Sequence, residues 1–515
     1  MVDWDETCDT LVVGSGGGGV CGAYTAAREG LEVILIEATD KFGGTTSLSG
    51  GGGSWFPCNP VSQRAGSDDT IESALAYYHS VVGDASPRAL QDAYVRGGAP
   101  LIEYLESDEW LTFVSLPWPD YFGSDPNARL DGLRHIMPAP LPASEVGDLH
   151  QVIRGPLDTE RLGAPLPDTL IGGRALIGRF LSAMAKYPHA SMQLNTELVE
   201  LVVEDNRVTG AIVERDGVRS AIAVRRGVLL AAGGFERNQV LREKYGVPGA
   251  AQDSMGPRGN LGKALQAAVD VGADTDLMDQ AWWSPGLTHP DGRSAFALGV
   301  TAGIFVNNAG ERFVNESAPY DILGRQVIEL VNTDTMTLPF WLVYDNRSGE
   351  NPPVQATNVS FSASDEYRRA GLWHTADSLE ELADLIGVPA AALAATVARY
   401  NTHVRDGEDA DYGRGEEVYD RSFSNDEKPL VPIAEGPFHA AAFGLSDLGT
   451  KGGLRTDTAG RVINVAGSAI DGLHATGNTM AAPSGRVYPG GGNPIGTSML
   501  FAHLAAKNMA EGMRE

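Results

Sequence analysis

Thr10-Leu11-Val12-Val13-Gly14-Ser15-Gly16-Gly17-Gly18-Gly19 is the stretch on which the fold turns. The first four residues read as a buried strand, the glycines match G-x-G-x-x-G at Gly14, Gly16 and Gly19, and a helical stretch follows to Arg28. A second strand spans residues 32–37 and ends on Glu37, 23 residues after Gly14. Gly14 permits the tight turn, Gly16 lets the backbone reach a pyrophosphate, and Gly19 allows close packing of the helix, whose first N–H groups face the negative charge. An acid at the position of Glu37 accepts a hydrogen bond from an adenosine ribose hydroxyl. This β-α-β unit predicts a dinucleotide site, and alone it does not separate a flavin from a nicotinamide.

Outward from that unit, residues 174–187 have helical apolar spacing, and Leu198–Val203, Val208–Val213 and Ala221–Leu230 read as strands of a meander. Residues 260–271 look helical. From about 281 to 447 the pattern shifts to Trp, Pro and Gly with short irregular elements, after which Gly453–Thr476 returns to strands and residues 493–515 read as a terminal helix. A chain of 515 residues exceeds the size at which single cores stop growing. The expectation is an α/β protein: a Rossmann-like domain built from both chain ends, 1–280 and 448–515, with an inserted α+β domain at 281–447.

Composition limits the partners. Lys and Arg total 39 against 67 Asp and Glu, a net charge of -28, so nucleic acid and anionic membranes are poor partners. No run approaches the ~18 apolar residues of a membrane span, and the start MVDWDETCDT lacks the basic and apolar regions of a signal peptide. A cytoplasmic protein that is not integral to a membrane is expected. Cys8, Cys21 and Cys58 are odd in number and lack metal spacing, which predicts reduced structural thiols and no metal site. Glycine runs at 14–19, 50–53 and 490–492 suit close backbone approach to a ligand.

Several further segments carry a family resemblance. Lys41-Phe42-Gly43-Gly44-Thr45-Thr46-Ser47 with the glycines at 50–53, Leu230-Ala231-Ala232-Gly233-Gly234-Phe235, Gly303–Asn307, Gly310–Glu316 and Asp471–Asn478 resemble the fumarate reductase and succinate dehydrogenase flavoproteins. The resemblance implies FAD, held by Gly43, Gly44, Thr45, Ser49, Gly50, Gly51, Gly233, Gly477 and Asn478 in addition to Gly14, Gly16, Gly19 and Glu37, with Asn493, Pro494 and Ile495 at the flavin end. The 490–492 run before the terminal helix would set backbone N–H groups against the flavin pyrimidine ring. Members that attach FAD covalently use a histidine just before the glycine pair. Gly44-Thr45-Thr46-Ser47-Leu48-Ser49 offers none, so the FAD is expected to be non-covalent.

The substrate-facing residues depart from the dicarboxylate pattern: Tyr320 and Tyr488 stand where fumarate reductases carry arginines, and Asp447-Leu448-Gly449-Thr450 replaces a histidine. A dicarboxylate would have little to pair with. Ser484-Gly485-Arg486-Val487-Tyr488-Pro489-Gly490-Gly491-Gly492-Asn493-Pro494, Ser317–Asp321 and Trp118-Pro119-Asp120-Tyr121 instead look like the 3-ketosteroid Δ1-dehydrogenases. That resemblance implies a ring-A ketone polarised by the Tyr488 hydroxyl and the Gly492 N–H, a C2 proton taken by Tyr320 with help from Tyr121, and a C1 hydride passed to FAD. The chemistry is coherent: a C–H bond next to a ketone becomes acidic only if the enolate oxygen is stabilised, and a tyrosine with pKa ~10 needs a neighbouring donor to act as base. Trp118, Phe122, Trp282 and Trp283 are candidates for an apolar substrate cleft or for core packing, and Arg486, His474 and His503 read as structural. No second dinucleotide motif occurs, so a quinone or redox partner is expected to take the electrons. The rival readings are a Δ4-ketosteroid dehydrogenase or a fumarate-type reductase, and a flavin-containing binding protein without turnover.

Overall fold

A computed structural model describes residues 2–511. The chain divides into two compact units: unit 1 takes the residues up to Val247, Gly256–Ala281 and the residues from Gly449 onward, and unit 2 takes Pro248–Met255 and Trp282–Leu448.

In unit 1, β1 (Glu6–Val13), α1 (Gly17–Arg28) and β2 (Val33–Ile36) form the expected unit. β1 lies in the middle of a parallel core. It pairs with β2 on one side, and β2 pairs with β3 (Ala190–Gln193). On the other side β1 pairs with the long strand β6 (Val218–Leu230), whose last residues pair with β7 (Ala469–Ala475). β4 (Thr196–Glu204) and β5 (Arg207–Arg215) make the antiparallel meander that leads into β6. Strands buried on both faces explain the unbroken apolar runs: Leu11, Val12, Leu229 and Leu230 are fully buried.

The longest helices of unit 1 that the sequence pattern does not show are α2 (Ile71–Val82) and α3 (Arg88–Glu106). α3 contains Gly97, Gly98 and Pro100, which hide its periodicity. The predicted helix at 174–187 is α4 (Gly172–Met184), and the one at 260–271 is shorter, Lys263–Asp270, because Asn260 closes a turn by donating to the Pro257 carbonyl at 3.0 Å. The terminal helix is α5 (Asn493–Glu511); the last four residues of that expectation lie outside the described residues.

Unit 2 corrects the expectation of short irregular elements. It contains a seven-stranded sheet, ordered Ile304–Val306, Phe340–Asp345, Phe438–Thr450, Ala281–Thr288, Ser294–Val300 and Val354–Thr357, with Trp373–Ala376 beside Phe438–Thr450. Pro285 disguises the strand Ala281–Thr288, whose pairing with Ser294–Val300 begins only at Gly286. Phe438–Thr450 lacks alternation because nearly all its residues are buried. One sheet region packs on the helices Leu379–Ile386 and Ala390–Asp406 through Val306, Val343, Leu382 and Val397. Among the described residues no helix is long and apolar enough to cross a membrane.

Candidate active site

The turn between β1 and α1 is crowded on one side and open on the other. Gly14 has φ +97°, and a Cβ there would lie 2.5 Å from the Ala231 carbonyl oxygen; one on Gly19 would lie 1.8 Å from the Gly14 oxygen. On the open side, a Cβ on Gly16 would meet only Thr46 Oγ1 at 3.7 Å, one on Gly44 only Gly16 backbone at 3.4 Å or more, and one on Gly50 nothing within 4 Å. Thr46 Oγ1 accepts from the Gly17 N–H (2.9 Å), and Gly43 N–H donates to Ser15 Oγ (2.9 Å), tying the 43–47 loop to the turn. The α4 N-terminus backs this loop, with Gly173 N–H donating to the Ser49 carbonyl (2.9 Å). Glu37 follows β2 and is buried. Its Oε2 accepts from Ser15 N and Oγ (3.2 and 2.6 Å) and its Oε1 from Thr39 N and Oγ1 (3.0 and 2.9 Å). All its acceptor positions are therefore used, so a ribose hydroxyl would replace one partner, most simply the hydroxyl of Ser15 or Thr39.

The other predicted cofactor residues fall around the same strand ends. Thr45 Oγ1 accepts from Asn260 Nδ2 (3.0 Å), whose second bond goes to Glu236 Oε1 (2.5 Å). A Cβ on Gly233 would sit 2.8 Å from Asn260 Nδ2, and Thr479 Oγ1 donates to the Gly233 carbonyl (2.8 Å). Gly477 and Asn478 follow β7, and Ile495 Cγ2 would be 3.6 Å from a Cβ on Gly17. Asn493 is fully buried, with Nδ2 donating to Tyr78 Oη (3.1 Å), and Pro494 is the second residue of α5. Asn260 and Glu236 were not singled out in the sequence, because nothing local marks a side chain whose partners lie far along the chain.

Residues 488–492 form a second crowded turn in unit 1. The Gly492 N–H donates to Tyr488 Oη at 3.4 Å, and the Tyr121 ring meets the Tyr488 ring edge to face, centroids 5.2 Å apart. Glycines are needed in this turn because walls stand on every side. A Cβ on Gly490 would lie 2.6 Å from Trp55, one on Gly491 3.0 Å from Trp118 and 3.3 Å from Tyr121 Oη, and one on Gly492, with φ +82°, 2.3 Å from the Gly53 oxygen. Asp120, next to Tyr121, is fixed from behind: it accepts from Trp55 Nε1, Arg134 Nη1 (both 2.7 Å) and Arg129 N (2.8 Å). Burial pushes the Asp120 carboxyl up to about 6, against the pull of Arg134. Burial, with the Arg134 charge, pushes buried His135 down to about 3, so it is neutral. Phe122 and Trp118 are partly exposed, as a cleft wall requires, whereas Trp282 and Trp283 in unit 2 are buried.

Tyr320 belongs to unit 2, where it is the first residue of the helix Tyr320–Asn332 and packs edge to face on Phe296 (4.9 Å). The segment before it is anchored by buried ion pairs: Arg312 to Glu316 (2.8 Å) and Asp409 (2.8 Å), and Arg414 to Glu316 (3.1 Å), with Arg414 Nε donating to Ser317 Oγ (2.9 Å). The residues read as structural have structural partners. His474 Nε2 lies 3.1 Å from Asn508 Oδ1 and His503 Nδ1 lies 3.1 Å from Thr25 Oγ1, and Arg486 is exposed. Cys8, Cys21 and Cys58 form no disulfide, and burial raises the Cys8 thiol to about 12.

An FAD binding domain family matches residues 9–495. The chain belongs to this family. A 3-oxosteroid 1-dehydrogenase of Mycobacterium tuberculosis is 36% identical to the flavoprotein over 98% of both chains. A 4-oxocyclohexanecarboxylate 2-dehydrogenase of Sinomonas cyclohexanicum is 32% identical over 98% of this chain and 93% of its own. The crystal structure of a 3-ketosteroid Δ1-dehydrogenase from Sterolibacterium denitrificans, in complex with 1,4-androstadiene-3,17-dione, matches with a TM-score of 0.90 at 31% identity, covering 98% of this chain and 100% of that one. The flavoprotein is an FAD-dependent oxidoreductase of the family that holds the 3-oxosteroid 1-dehydrogenases. The residues present fit such a cofactor: the open space beside Gly16, Gly44 and Gly50 would admit a phosphate chain, the α1 N-terminus would face its negative charge, and Glu37 would stand where a ribose hydroxyl is bound.

Proposed function

We propose that this flavoprotein desaturates 3-ketosteroids between C1 and C2. The observation that carries the reading is the convergence of the Tyr488 hydroxyl and the Gly492 N–H, 3.4 Å apart. One ketone oxygen at ~2.8 Å from each accepts from both once it replaces their mutual contact. Two neutral donors then stabilise the enolate oxygen as the C2 proton leaves. Tyr320 is assigned as the proton acceptor by the Ser317–Asp321 motif, with Tyr121 as the group that favours its phenolate. FAD, when bound, supplies the two-electron acceptor for the hydride from C1, and the steroid loses two hydrogens. Unit 1 is assigned to FAD and the ketone donors, unit 2 supplies the proton acceptor Tyr320, and the electrons pass on to a quinone or redox partner.

The Sinomonas relative supports a second reading, a cyclic ketone carrying a carboxylate. Both substrates share the ketone and the adjacent C–H bond, so the same donors serve either. Anaerobic flavin reduction by 4-androstene-3,17-dione, 4-oxocyclohexanecarboxylate and succinate separates the readings: the steroid should bleach the flavin fastest and succinate negligibly. Bleaching by the cyclohexane acid alone would replace the steroid reading with the second one.

A further inference from the structure

The turn Pro489–Asn493 presents the Gly492 N–H, and it is held at both ends by two adjacent residues of α2. Tyr77 Oη donates to the Pro489 carbonyl at 2.6 Å, and Tyr78 Oη accepts from Asn493 Nδ2 at 3.1 Å. The Pro489 carbonyl also accepts from the Tyr121 N–H at 3.1 Å, and the Phe122 N–H donates to Tyr77 Oη at 3.3 Å. One hydroxyl thus bridges the residue after Tyr488 to the residue after Tyr121. Both tyrosines are fully buried, packed around Trp55 with ring centroids 6.2 and 5.4 Å away, and burial raises both phenols well above their ordinary range, so they stay neutral.

We propose that Tyr77 and Tyr78 are positioning residues that clamp the Pro489–Asn493 turn and so set the spacing of Tyr488, Gly492 and Tyr121. The inference rests on the assignment of Tyr488 and Gly492 as ketone donors. Without the Tyr77 hydroxyl, the Pro489 carbonyl keeps one donor and the Phe122 N–H loses its acceptor, beside a side chain that is fully buried. The chain relaxes by moving either the Tyr488 turn or the Tyr121 loop. A displacement of a few tenths of an ångström is expected to matter, since a misplacement of about 1 Å can cost about 100-fold.

The test is a double-mutant cycle on the FAD-loaded enzyme. Tyr77→Phe should lower kcat about 10-fold with KM nearly unchanged and FAD content near normal. In a Tyr488→Phe background the same change should cost clearly less than about 10-fold, because the spacing between the two donors no longer matters and only the Gly492 N–H and Tyr121 are left to be placed. A purely structural tyrosine multiplies its loss into either background. Should Tyr77→Phe fail to fold, Tyr78→Phe releases the other end of the same turn and carries the same expectation. An unchanged kcat in folded Tyr77→Phe or Tyr78→Phe, or full multiplication with Tyr488→Phe, overturns the clamp while leaving the ketone-donor reading intact. An unchanged kcat in Tyr488→Phe alone overturns both.

Discussion

Tyr121 stands edge-on to Tyr488, their ring centroids 5.2 Å apart and their planes at 69°, although 367 residues of sequence separate them. Two buried phenols in that arrangement pack against each other, and each restrains the other's rotamer. Tyr488 also meets the Gly492 N–H at 3.4 Å. Three groups that the sequence motif assigns to one reaction therefore lie together in unit 1.

If Tyr488 donates to the ketone oxygen, Tyr488→Phe removes one of two donors, and kcat should fall on the order of 100-fold or more. The ring packing against Tyr121 survives in the variant, so FAD content should stay near normal. Steady-state kinetics with 4-androstene-3,17-dione, alongside the flavin spectrum, measures both; unchanged kcat in a folded, flavin-loaded variant removes Tyr488 from the mechanism.

Tyr320→Phe should abolish deuterium uptake at C2 from D2O together with anaerobic flavin reduction, whereas Tyr488→Phe slows both. A phenolate accepts a proton and a phenyl ring does not. Loss of the Tyr121 hydroxyl should act more mildly, moving the pH-rate profile to higher pH as the Tyr320 phenolate loses support. Exchange at the wild-type rate in Tyr320→Phe would assign the base to another residue.

The β1-α1-β2 unit was legible because each glycine has a local geometric reason that leaves a mark in the sequence. The clamp was not. Tyr77 reaches Pro489 across 412 residues, and Asn260 reaches Thr45 across 215, so no local spacing records either contact. α3 buries a regular stripe of Leu90, Tyr94, Val95, Leu101, Ile102 and Leu105, but Gly97, Gly98 and Pro100 inside it read as breakers, and α2 mixes Leu75 and Val82 with the tyrosines Tyr77 and Tyr78. The unit 2 sheet was missed where Pro285 and a doubly buried strand erase alternation. Tyr320 was found through its motif, which records chemistry rather than packing.

The glycines of the cradle should separate into two kinds. Gly19→Ala places a Cβ 1.8 Å from the Gly14 oxygen and should destabilise the protein even without FAD, while Gly50→Ala meets nothing within 4 Å. Apoprotein carrying Gly50→Ala should therefore melt like wild type yet bind FAD more weakly. Equal FAD affinity, titrated by flavin fluorescence, would show that the space beside Gly50 does not belong to the cofactor.

His135 makes a pH prediction. Its folded pKa of about 3 lies below the ordinary 6.5, so the protonated ring is disfavoured in the fold. The contribution is fully present above pH 6.5 and is lost as pH falls toward 3. Thermal melts across that window should show a shallower acid loss of Tm in His135→Leu than in wild type; parallel curves would mean that His135 is not buried in the neutral form.

Acid precipitation should release the yellow FAD into the supernatant, since Gly44–Ser49 has no histidine to attach it. Colour retained in the pellet would overturn the non-covalent assignment.

The most direct test of the account is product mass after incubating the FAD-loaded protein with 4-androstene-3,17-dione and a dye acceptor. The account predicts a product lighter by two hydrogens, with the new double bond between C1 and C2 and the C2 hydrogen exchanging with solvent at a rate that depends on Tyr320. A product desaturated at another bond, or no turnover of the steroid while 4-oxocyclohexanecarboxylate is oxidised, would contradict it.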